Sequence, residues 1–400
     1  MHVERIRGTR SERLKGKKIV LGVTGSIAAV ETVKLARELI RRGAEVFAVM
    51  SKSARKIIHP YALEFATGNK VITEITGEIE HVKFFGKNGL ADLLLIAPST
   101  ANTISKIANG IDDTPVTTFA TTALGAKKPI LIAPAMHEAM MENEAVIRNM
   151  EKLKEMGIEI IEPRIEEGKA KFAEIEKICL HVERALYPKD FAGKKVVVTA
   201  GPTFEHLDPI RFISNKSSGI MGKEIALEIW RRGAEVVFIS SKDIGINLPN
   251  FKQIRIRSVL DMLKAVMDEI RDCSLFVSSA AASDFLVEME KKKIKTAREV
   301  TITLKEAPKI IKEVRKVYDG DIIGFKAETG VTDEELERIA KERLECDNLS
   351  MVVANDVLER GMGTEDTRVV VVTRKRSEWF EGMKSDVAKK IVEVYIRDCL

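Results

Sequence analysis

The hexapeptide RRGAEV occurs twice in this 400-residue chain, at residues 41–46 and again at residues 231–236. In both places a stretch with helical periodicity precedes it, and a β-rich run follows, AEVFAVM in the first copy and AEVVFIS in the second. A helix that ends at a glycine and leads into a buried strand forms the first corner of a Rossmann-like unit. The repeat therefore predicts two doubly wound domains, one in each half of the chain.

The remainder of each half alternates apolar strands with helices. In the first half, helical periodicity covers residues 27–42, and DLLLIAP, PILIAPA and IEII are later strand candidates. In the second half the strand candidates are KKVVVTAGPT, AEVVFIS, SLFVSSAA, VTITL, DIIGFKA, SMVVAND and TRVVVVTRK. This pattern predicts an α/β fold of two Rossmann-like domains with mainly parallel sheets. The stretch YPKDFAGKK suggests a boundary between residues 1–189 and 190–400.

Composition limits the class of protein. The chain has 65 basic and 60 acidic residues and a net charge of +5, without the one-sided excess of a nucleic-acid binder. No apolar run reaches the roughly 18 residues that a membrane span needs. The basic N-terminus lacks the apolar core of a signal peptide, so we expect a cytoplasmic protein whose N-terminal arm is frayed or contacts another subunit.

The four cysteines are widely separated and form no CxxC pair, so neither zinc nor a disulfide framework is expected. We expect Cys179, Cys273 and Cys346 to be small buried residues, and Cys399 to be frayed at the chain end. The sequence identifies no metal ligands.

The loops after the first two strands have the residues of a phosphate site. Gly22 and Gly25 in GVTGS allow close backbone approach, and the backbone N–H groups at the following helix start attract anions. Ser51 ends the second strand, where a dinucleotide site usually places an acidic residue for the ribose. This argues against NAD. It leaves NADP, with Lys52 or Arg55 at its 2′-phosphate, or a mononucleotide phosphate held by hydroxyls.

Two further loops strengthen the case for a ligand. IAPSTANTISKIANG places Ser99, Thr100 and Asn102 after a buried strand and at a helix start. One such residue would be an ordinary N-cap, but three together at a strand's carboxyl end indicate a binding site. IAPAMHEAMM carries Met136 and His137 at another strand end.

These motifs resemble those of known enzymes. GVTGSIAA, PSTANT and PAMHEAM resemble the homo-oligomeric flavin-containing cysteine decarboxylases. TAGPTFEHLDPIRFISNKSSGIMG, with AAASDF, KIK, GFKAET and VAND, resembles phosphopantothenate–cysteine ligase. In this order, and over nearly the whole chain, they are similar to the bifunctional coenzyme A biosynthesis family.

For the first half, the resemblance implies decarboxylation of 4′-phosphopantothenoylcysteine on FMN. A carboxylate alpha to an amide nitrogen has no electron sink until the thiol carbon is oxidised to a thioaldehyde, which is the work of the flavin. His81 matches the family's active-site histidine, which exchanges protons near neutral pH or contacts the carboxylate. The residues implied to surround the flavin are Gly25, Ser26, Ser51, Ser99, Thr100, Asn102 and Met136.

Two positions depart from the decarboxylase pattern. His137 stands where the family's PxMN motif has an asparagine that contacts the substrate carboxylate. Lys171 stands where the family's covering loop has a cysteine that donates the last proton. Cys179 follows Ile175 by four on an apolar helical face, so we expect it in the core. The identity of the final proton donor stays open.

For the second half, the resemblance implies that CTP with Mg²⁺ activates 4′-phosphopantothenate. The carboxylate attacks the α-phosphate, pyrophosphate leaves, and the amine of L-cysteine displaces the nucleotide. Lys293 matches the family's KxKK lysine, although Thr296 replaces the last lysine of that motif. Asn215 matches an asparagine tied to the acyl-nucleotide.

Several nucleotide positions differ from the family, so ATP is an alternative to CTP. Lys309 replaces an aspartate of the family's NPD loop, and Arg343 and Asp347 stand where the family has phosphate-contacting lysines. The residues implied to bind nucleotide or substrate are Arg211, Ser217, Ser218, Gly219, Ala280, Ala281, Ala282, Asp284, Ala307, Pro308, Lys309, Ile310, Phe325 and Arg343.

The resemblance also implies a large homo-oligomer, with flavin sites between decarboxylase subunits and ligase domains in pairs. Neither a nucleic acid nor a membrane is expected as a partner. The alternatives are an NADP-dependent oxidoreductase with two Rossmann domains, another flavoprotein such as a prenyl-transferring enzyme, and a non-catalytic flavin-binding regulator. A flavin spectrum excludes the first, nucleotide consumption that depends on phosphopantothenate and cysteine excludes the second, and product analysis tests the third.

Overall fold

A computed structural model describes residues 2–166, 169–245, 247–295, 299–358 and 363–400. The chain forms two compact units, Met1–Tyr187 and Pro188–Leu400. Both units are α/β with a mainly parallel sheet, which confirms the predicted fold class. Within the described ranges, no helix is both long and apolar enough to cross a membrane. Thr296, named above in the lysine motif, lies outside the described residues.

Unit 1 is built on a parallel sheet of five strands. Its helices and strands are β1 (Lys18–Val23), α1 (Thr32–Arg41), β2 (Glu45–Met50), α2 (Pro60–Thr67), α3 (Glu80–Phe85), β3 (Leu93–Ser99), α4 (Ala101–Ala108), α5 (Pro115–Gly125), β4 (Ile130–Pro134), α6 (Glu138–Met141), α7 (Glu144–Glu155), β5 (Glu159–Ile160), β6 (Arg164–Glu166), β7 (Lys169–Lys171) and α8 (Ile175–Leu186). The strand order β2-β1-β3-β4-β5 is that of flavodoxin-like folds. Leu93 and Leu95 enter one hydrophobic core and Leu94 and Ile96 another, so both faces of the sheet are covered.

Unit 2 has a sheet of eight strands. Its helices and strands are β8 (Lys195–Ala200), β9 (Phe204–His206), β10 (Phe212–Ser214), α9 (Ile220–Arg231), β11 (Glu235–Ser240), β12 (Phe251–Arg255), α10 (Val259–Glu269), β13 (Leu275–Ser278), β14 (Phe285–Val287), β15 (Leu304–Glu306), α11 (Ile310–Arg315), β16 (Asp321–Glu328), α12 (Asp333–Cys346), β17 (Met351–Asp356), β18 (Asp366–Thr373), β19 (Ser377–Met383) and α13 (Lys384–Asp398). Strands β12-β11-β8-β13-β16-β17 are parallel in the Rossmann order, and β18 and β19 continue the sheet antiparallel.

The repeated hexapeptide connects a helix to a strand, and its second arginine also forms buried ion pairs. In unit 1, Arg42 Nε donates to Glu38 Oε1 at 3.2 Å, one turn back on α1. Its Nη1 and Nη2 reach α8, where they donate to Glu183 Oε1 at 2.8 Å and Glu176 Oε2 at 2.6 Å. Burial acts to lower the pKa of Arg42, but these carboxylates outweigh it and raise the pKa further. Arg42 therefore joins the first helix of unit 1 to its last.

The second copy makes the equivalent connection in unit 2. Arg232 Nε donates to Glu228 Oε1 at 3.0 Å, and Nη1 donates to Asp190 Oδ2 at 2.6 Å. Its Nη2 lies 3.4 Å from Glu393 Oε1 on α13, the last helix of that unit. The same pairing of first and last helix explains why the second arginine of RRGAEV and the glutamate four residues before it occur in both halves.

Arg42→Ala is expected to destabilise α1 and α8 by about 3–5 kcal/mol, because it breaks the buried ion pair between Arg42 and the fully buried Glu183. Hydrogen–deuterium exchange of peptides from these two helices measures the change. Arg41→Ala is the matched control, since Arg41 is 39% exposed and pairs with Glu38 only at 3.6 Å. The control should change local stability by no more than about 0.5 kcal/mol. Equal effects of the two substitutions would contradict the proposed role of Arg42.

Two predicted elements need correction. The helix predicted over residues 27–42 begins with a 3₁₀ turn at Ile27–Glu31, and α1 starts only at Thr32. VTITL is not a strand of the main sheet. Strand β15 begins at Leu304, pairs with β14 in a separate hairpin, and leaves Val300 53% exposed. The alternation in VTITL has the period of a strand, but its apolar residues Val300, Ile302 and Leu304 are exposed.

The N-terminal arm is ordered against unit 1, so the expectation of a frayed arm is wrong. Val3 and Leu14 are buried in this unit. Arg7 Nη1 donates to Ala44 O at 2.5 Å, which fixes the arm beside the first RRGAEV corner. Two apolar anchors and an arginine bonded to a backbone carbonyl therefore hold the segment in place.

The cysteines follow the expectation in part. Cys179 and Cys273 are buried, as expected of small core residues. Cys346 is exposed, because it ends the mostly charged helix α12, so the prediction of burial was wrong there. Cys399 is half-buried rather than frayed, with Sγ 3.4 Å from Ser350 O, and burial raises the pKa of its thiol to about 11.

Candidate functional site

In unit 1 the strand order reverses between β1 and β3, and the loops after these strands meet at their carboxyl ends. Thr24 joins the two loops. Its Oγ1 donates to Pro98 O at 2.8 Å and accepts from Thr100 N at 3.0 Å. These bonds are internal to the protein, so the crevice between the two loops is formed before any ligand binds.

The loops after β1 and β2 are also in close contact. A Cβ atom on Gly25 would lie 2.5 Å from Ser53 Cβ, so only glycine permits this approach. Ser51 is buried, and its Oγ accepts from Ala54 N at 3.2 Å. Ser26 caps the 3₁₀ turn that follows β1. The structure thus brings Gly25, Ser26 and Ser51 to one edge of the sheet.

Ser99, Thr100 and Asn102 lie at the adjacent strand end. Ser99 is fully buried, and its Oγ has no hydrogen-bond partner within the part of the chain that is described. Thr100 caps α4 by accepting from Thr103 N at 3.3 Å, and Asn102 is exposed. A buried hydroxyl without a partner is costly, so the Ser99 hydroxyl marks a place where a bound group can accept or donate a hydrogen bond.

A cavity of about 840 Å³ opens beside the loop after β1, and its lining does not include Gly25, Ser51, Ser99, Thr100 or Asn102. Its lining includes Ser26 from the loop after β1, Met136 and His137 from the loop after β4, and Lys171 from β7. His137 and Lys171 are the two residues that differ from the decarboxylase pattern, and the structure brings both to the same cavity as Ser26.

His137 also begins α6. Its Nδ1 accepts from Ala139 N at 3.4 Å, which requires that this nitrogen carry no proton. In the neutral ring Nε2 is then the N–H donor. An asparagine at this position would cap the helix in the same way through its side-chain oxygen. Histidine thus keeps the cap and offers an N–H donor from a longer side chain.

His81 lies on α3 and is not part of this cavity lining. The side chain is partly exposed, but its Nδ1 is buried and has no hydrogen-bond partner among the described residues. Within one chain, the structure does not bring His81 together with Met136 and His137.

In unit 2 the strand order reverses between β8 and β13. Gly219 precedes α9 with φ +76°, and a Cβ atom there would lie 3.1 Å from Gly201 Cα. A Cβ atom on Gly222 would lie 2.5 Å from the Cβ of Ala200. The start of α9 therefore packs closely against the end of β8 and Gly201, which explains the two glycines that follow Ser217 and Ser218 in SSGIMG.

A second cavity, of about 510 Å³, lies at the carboxyl ends of β13, β16 and β17. Asn215 Nδ2 donates to Ala281 O at 3.1 Å and to Ala282 O at 3.2 Å, which fixes the loop after β10 against the loop after β13. Asp284 Oδ1 pairs with Lys309 Nζ at 2.6 Å on the rim. The predicted residues that line this cavity are Asn215, Ser217, Ala280, Ala281, Ala282, Asp284, Pro308, Lys309, Ile310, Phe325 and Arg343.

The remaining predicted residues of unit 2 lie outside this lining; they are Arg211, Ser218, Gly219, Lys293 and Ala307. Ser218 and Gly219 directly precede α9, and Arg211 and Lys293 are exposed. Lys293 follows β14 in a segment that the structure describes to residue 295. Ala307 directly precedes the lining residue Pro308.

The cavity also contains cationic residues that the sequence did not indicate as site residues. Lys384 is buried at the start of α13 and donates from Nζ to Thr364 O at 2.5 Å. Burial lowers its pKa. A single lysine at a helix start gives no sequence signal, whereas Lys326 lies in the motif GFKAET. Together with Arg343, these residues make the cavity suited to an anion.

The described residues contain no group of three or more His, Cys, Asp or Glu side chains arranged to hold a metal ion.

The two halves of the chain match two protein families. The Flavoprotein family matches residues 7–186. The DNA/pantothenate metabolism flavoprotein C-terminal domain matches residues 191–398. The order of the two matches is the order of the two units.

Similar proteins match along nearly the whole chain. A coenzyme A biosynthesis bifunctional protein CoaBC of Thermococcus kodakarensis is 52% identical, over 98% of this chain and 97% of the relative. The protein of that description from Methanocaldococcus jannaschii is 42% identical, over 97% of this chain and 95% of the relative. A crystal structure of the C-terminal domain of a CoaBC protein is 30% identical, with a TM-score of 0.43, over 52% of this chain and 97% of that one.

Proposed function

The chain belongs to the family of bifunctional coenzyme A biosynthesis proteins, and from this premise we propose how its two units carry out the family's reactions. The protein is a bifunctional enzyme of coenzyme A biosynthesis, with phosphopantothenoylcysteine decarboxylase and phosphopantothenate–cysteine ligase activities. The observation that carries this conclusion is 52% identity over 98% of the chain. The NADP-dependent oxidoreductase and the non-catalytic regulator are not favoured.

Unit 1 is a flavoprotein, and we propose FMN as its flavin. The loops fit a phosphate and its flavin, because Gly25 has no side chain to obstruct approach and the buried Ser99 hydroxyl has no hydrogen-bond partner in the described part of the chain. Ser26, Ser51 and Thr100 would supply further hydroxyl and backbone donors. When bound, the flavin supplies the oxidation of the cysteinyl thiol carbon that makes loss of CO₂ possible.

The protein's own side chains then bind the substrate and move protons. His137 lines the cavity with Nε2 as a donor, which suits the substrate carboxylate. We assign proton exchange to His81, whose buried Nδ1 has no hydrogen-bond partner among the residues that the structure describes. Because His81 lies outside the single-chain cavity and Ile27 is 77% exposed on its rim, we propose that a second copy completes the flavin site in a homo-oligomer.

Lys171 lines the same cavity at the position of the family's proton-donating cysteine, and an ammonium group can donate the proton that is taken up when the enethiol product of decarboxylation is reduced. The two electrons for that reduction would come from the reduced flavin. Lys171→Ala is therefore expected to slow conversion of the enethiol to 4′-phosphopantetheine by about a hundredfold. Mass spectrometry of the accumulating enethiol measures the effect. Lys177→Ala on α8 is the control, and conversion at the normal rate by the Lys171 variant would exclude this donor.

Unit 2 condenses 4′-phosphopantothenate with L-cysteine, and we propose CTP with Mg²⁺ as its nucleotide. Asn215, held between the loops after β10 and β13, is suited to orient the acyl phosphate. Lys309 neutralises the charge of Asp284 on the cavity rim, so the nucleobase of a nucleotide bound there would contact an ion pair. No acidic cluster for a metal occurs in the described ranges, so Mg²⁺ would arrive on the triphosphate.

Product analysis tests both activities in one chain. The protein is given 4′-phosphopantothenate, Mg²⁺, cysteine labelled with ¹³C at its carboxyl group, and either CTP or ATP. We expect pyrophosphate, CMP, labelled CO₂ and 4′-phosphopantetheine, with a slower reaction in ATP. Release of pyrophosphate without labelled CO₂ would contradict the decarboxylase assignment. The absence of pyrophosphate with either nucleotide would contradict the ligase assignment.

We expect the enzyme to act in the cytoplasm.

A further inference from the structure

Asp208, in the motif HLDPIRFISN, is a fully buried carboxylate that binds backbone amides from two separate segments. Its Oδ1 accepts from Ile210 N at 2.7 Å and from Arg211 N at 2.8 Å, within its own turn. Its Oδ2 accepts from Ile294 N at 3.1 Å, 86 residues further along the chain. The two oxygens of one carboxylate thus face two different parts of unit 2.

The second of these parts is the lysine-rich segment 290–295. Two more contacts attach it to the same turn, since Arg211 Nη1 donates to Ile294 O at 3.2 Å and Glu290 N donates to Leu207 O at 2.9 Å. Lys293 directly precedes the anchored Ile294 and is itself exposed. The backbone beside Lys293 is therefore fixed, while its side chain is left available.

We propose that Asp208 is a positioning residue for ligation, which holds the segment of Lys293 beside the turn that leads to Asn215. This inference rests on the proposed function, and it takes Lys293, the match to the family's motif lysine, as the group that stabilises the charge developing during acyl-nucleotide formation. Without the anchor, an exposed lysine on a mobile segment must be ordered in every catalytic cycle, and that ordering costs conformational entropy.

The chemistry of the site requires a carboxylate rather than any polar group. Burial acts to raise the pKa of Asp208, but the three backbone N–H donors outweigh it and hold the pKa below its usual value. An ionised carboxylate accepts hydrogen bonds on both oxygens. An asparagine accepts on one side only and presents an NH₂ group on the other. In Asp208→Asn the side-chain oxygen therefore preserves the turn, while the NH₂ group faces Ile294 N, so that two donors oppose each other and the hydrogen bond is lost.

Asp208→Asn in the full chain is expected to lower the rate of pyrophosphate release by about ten- to a hundredfold at saturating CTP. Equilibrium binding of CTP and decarboxylation of supplied 4′-phosphopantothenoylcysteine should be unchanged, which excludes misfolding as the cause. Asp261→Asn is the matched control. Asp261 also accepts from two backbone amides, Arg257 N at 3.2 Å and Ser258 N at 3.0 Å, but none from the lysine segment.

Two readouts separate positioning from a general structural role. Trypsin should cleave the variant faster than the wild type after the lysines of 291–295, and no faster elsewhere. In a Lys293→Gln background, Asp208→Asn should cause no further loss of pyrophosphate release, because the two residues act on one step. Additive losses in this cycle, or unchanged trypsin cleavage, would overturn the proposal.

A measurement without substitution covers the case in which the variant does not fold. In the wild-type chain, the Ile294 amide should exchange with deuterium at least about tenfold more slowly than in the unfolded chain, because it is bonded to a buried carboxylate. Exchange at the unfolded rate would overturn the proposal. Failure of the proposed function is recognised differently, since a wild-type chain would then release no pyrophosphate at all.

Discussion

Replacing His81 with asparagine is expected to lower CO₂ release by about a hundredfold or more, while the flavin stays bound. Asparagine retains a polar group near the position of Nδ1, a buried atom with no hydrogen-bond partner within the described ranges, but it does not exchange protons near neutral pH. The residues proposed to hold the flavin lie on other elements, in the loops after β1, β2 and β3. The loss should therefore appear in turnover of supplied 4′-phosphopantothenoylcysteine and not in the visible flavin spectrum.

The matched control for this prediction is His59→Asn. His59 is an exposed histidine of unit 1, and its Nδ1 caps α2 by accepting from Tyr61 N at 3.3 Å, a role that asparagine fulfils equally well. Its replacement should leave CO₂ release unchanged. If the His81 variant released CO₂ at the normal rate, proton exchange would have to be assigned to another group. Loss of flavin from that variant would instead place His81 in cofactor binding.

The sequence predicted the architecture because the architecture depends on local patterns. Apolar strands, a glycine after each first helix and the repeated RRGAEV each depend on a few neighbouring residues, and all of them indicated parallel α/β units. The two strand orders could not be predicted in this way. In unit 1 only β2 lies on the opposite side of β1 from β3, whereas in unit 2 both β11 and β12 lie on the opposite side of β8 from β13. Strand order is a long-range property that hydrophobic periodicity does not record.

The site residues that belong to local sequence patterns could likewise be predicted, and those defined by long-range contacts could not. Ser99, Thr100 and Asn102 stood out because small polar residues cluster after a buried strand, where parallel sheets bind ligands. Asn215 was indicated only by the resemblance to the ligase family. Thr24 and Asp208 did not stand out in the sequence, although Thr24 joins two loops and Asp208 joins two segments 86 residues apart. Their roles depend on partners distant in sequence, and nothing in the residue itself distinguishes such a threonine or aspartate from one in an ordinary turn.

Lys293→Gln is expected to lower the rate of pyrophosphate release by about a hundred- to a thousandfold, and to leave decarboxylation of supplied substrate unchanged. Attack of a carboxylate on a phosphate concentrates negative charge on the phosphate oxygens, and glutamine keeps much of the length of lysine without its charge. The loss should appear mainly in kcat rather than in KM for CTP, because the developing charge is greatest in the transition state. Decarboxylation is unaffected because it takes place in unit 1.

The lysine run itself supplies the control, because Lys291 and Lys292 are exposed neighbours of Lys293 in the same segment. Lys291→Gln and Lys292→Gln remove the same charge from the same surface, so a field effect of the whole run would lower all three rates alike. We expect only the Lys293 variant to lose pyrophosphate release, because its backbone directly precedes the amide that Asp208 anchors. Equal losses in the three variants would mean that the run attracts the triphosphate as a patch, and that no single lysine of it takes part in the reaction.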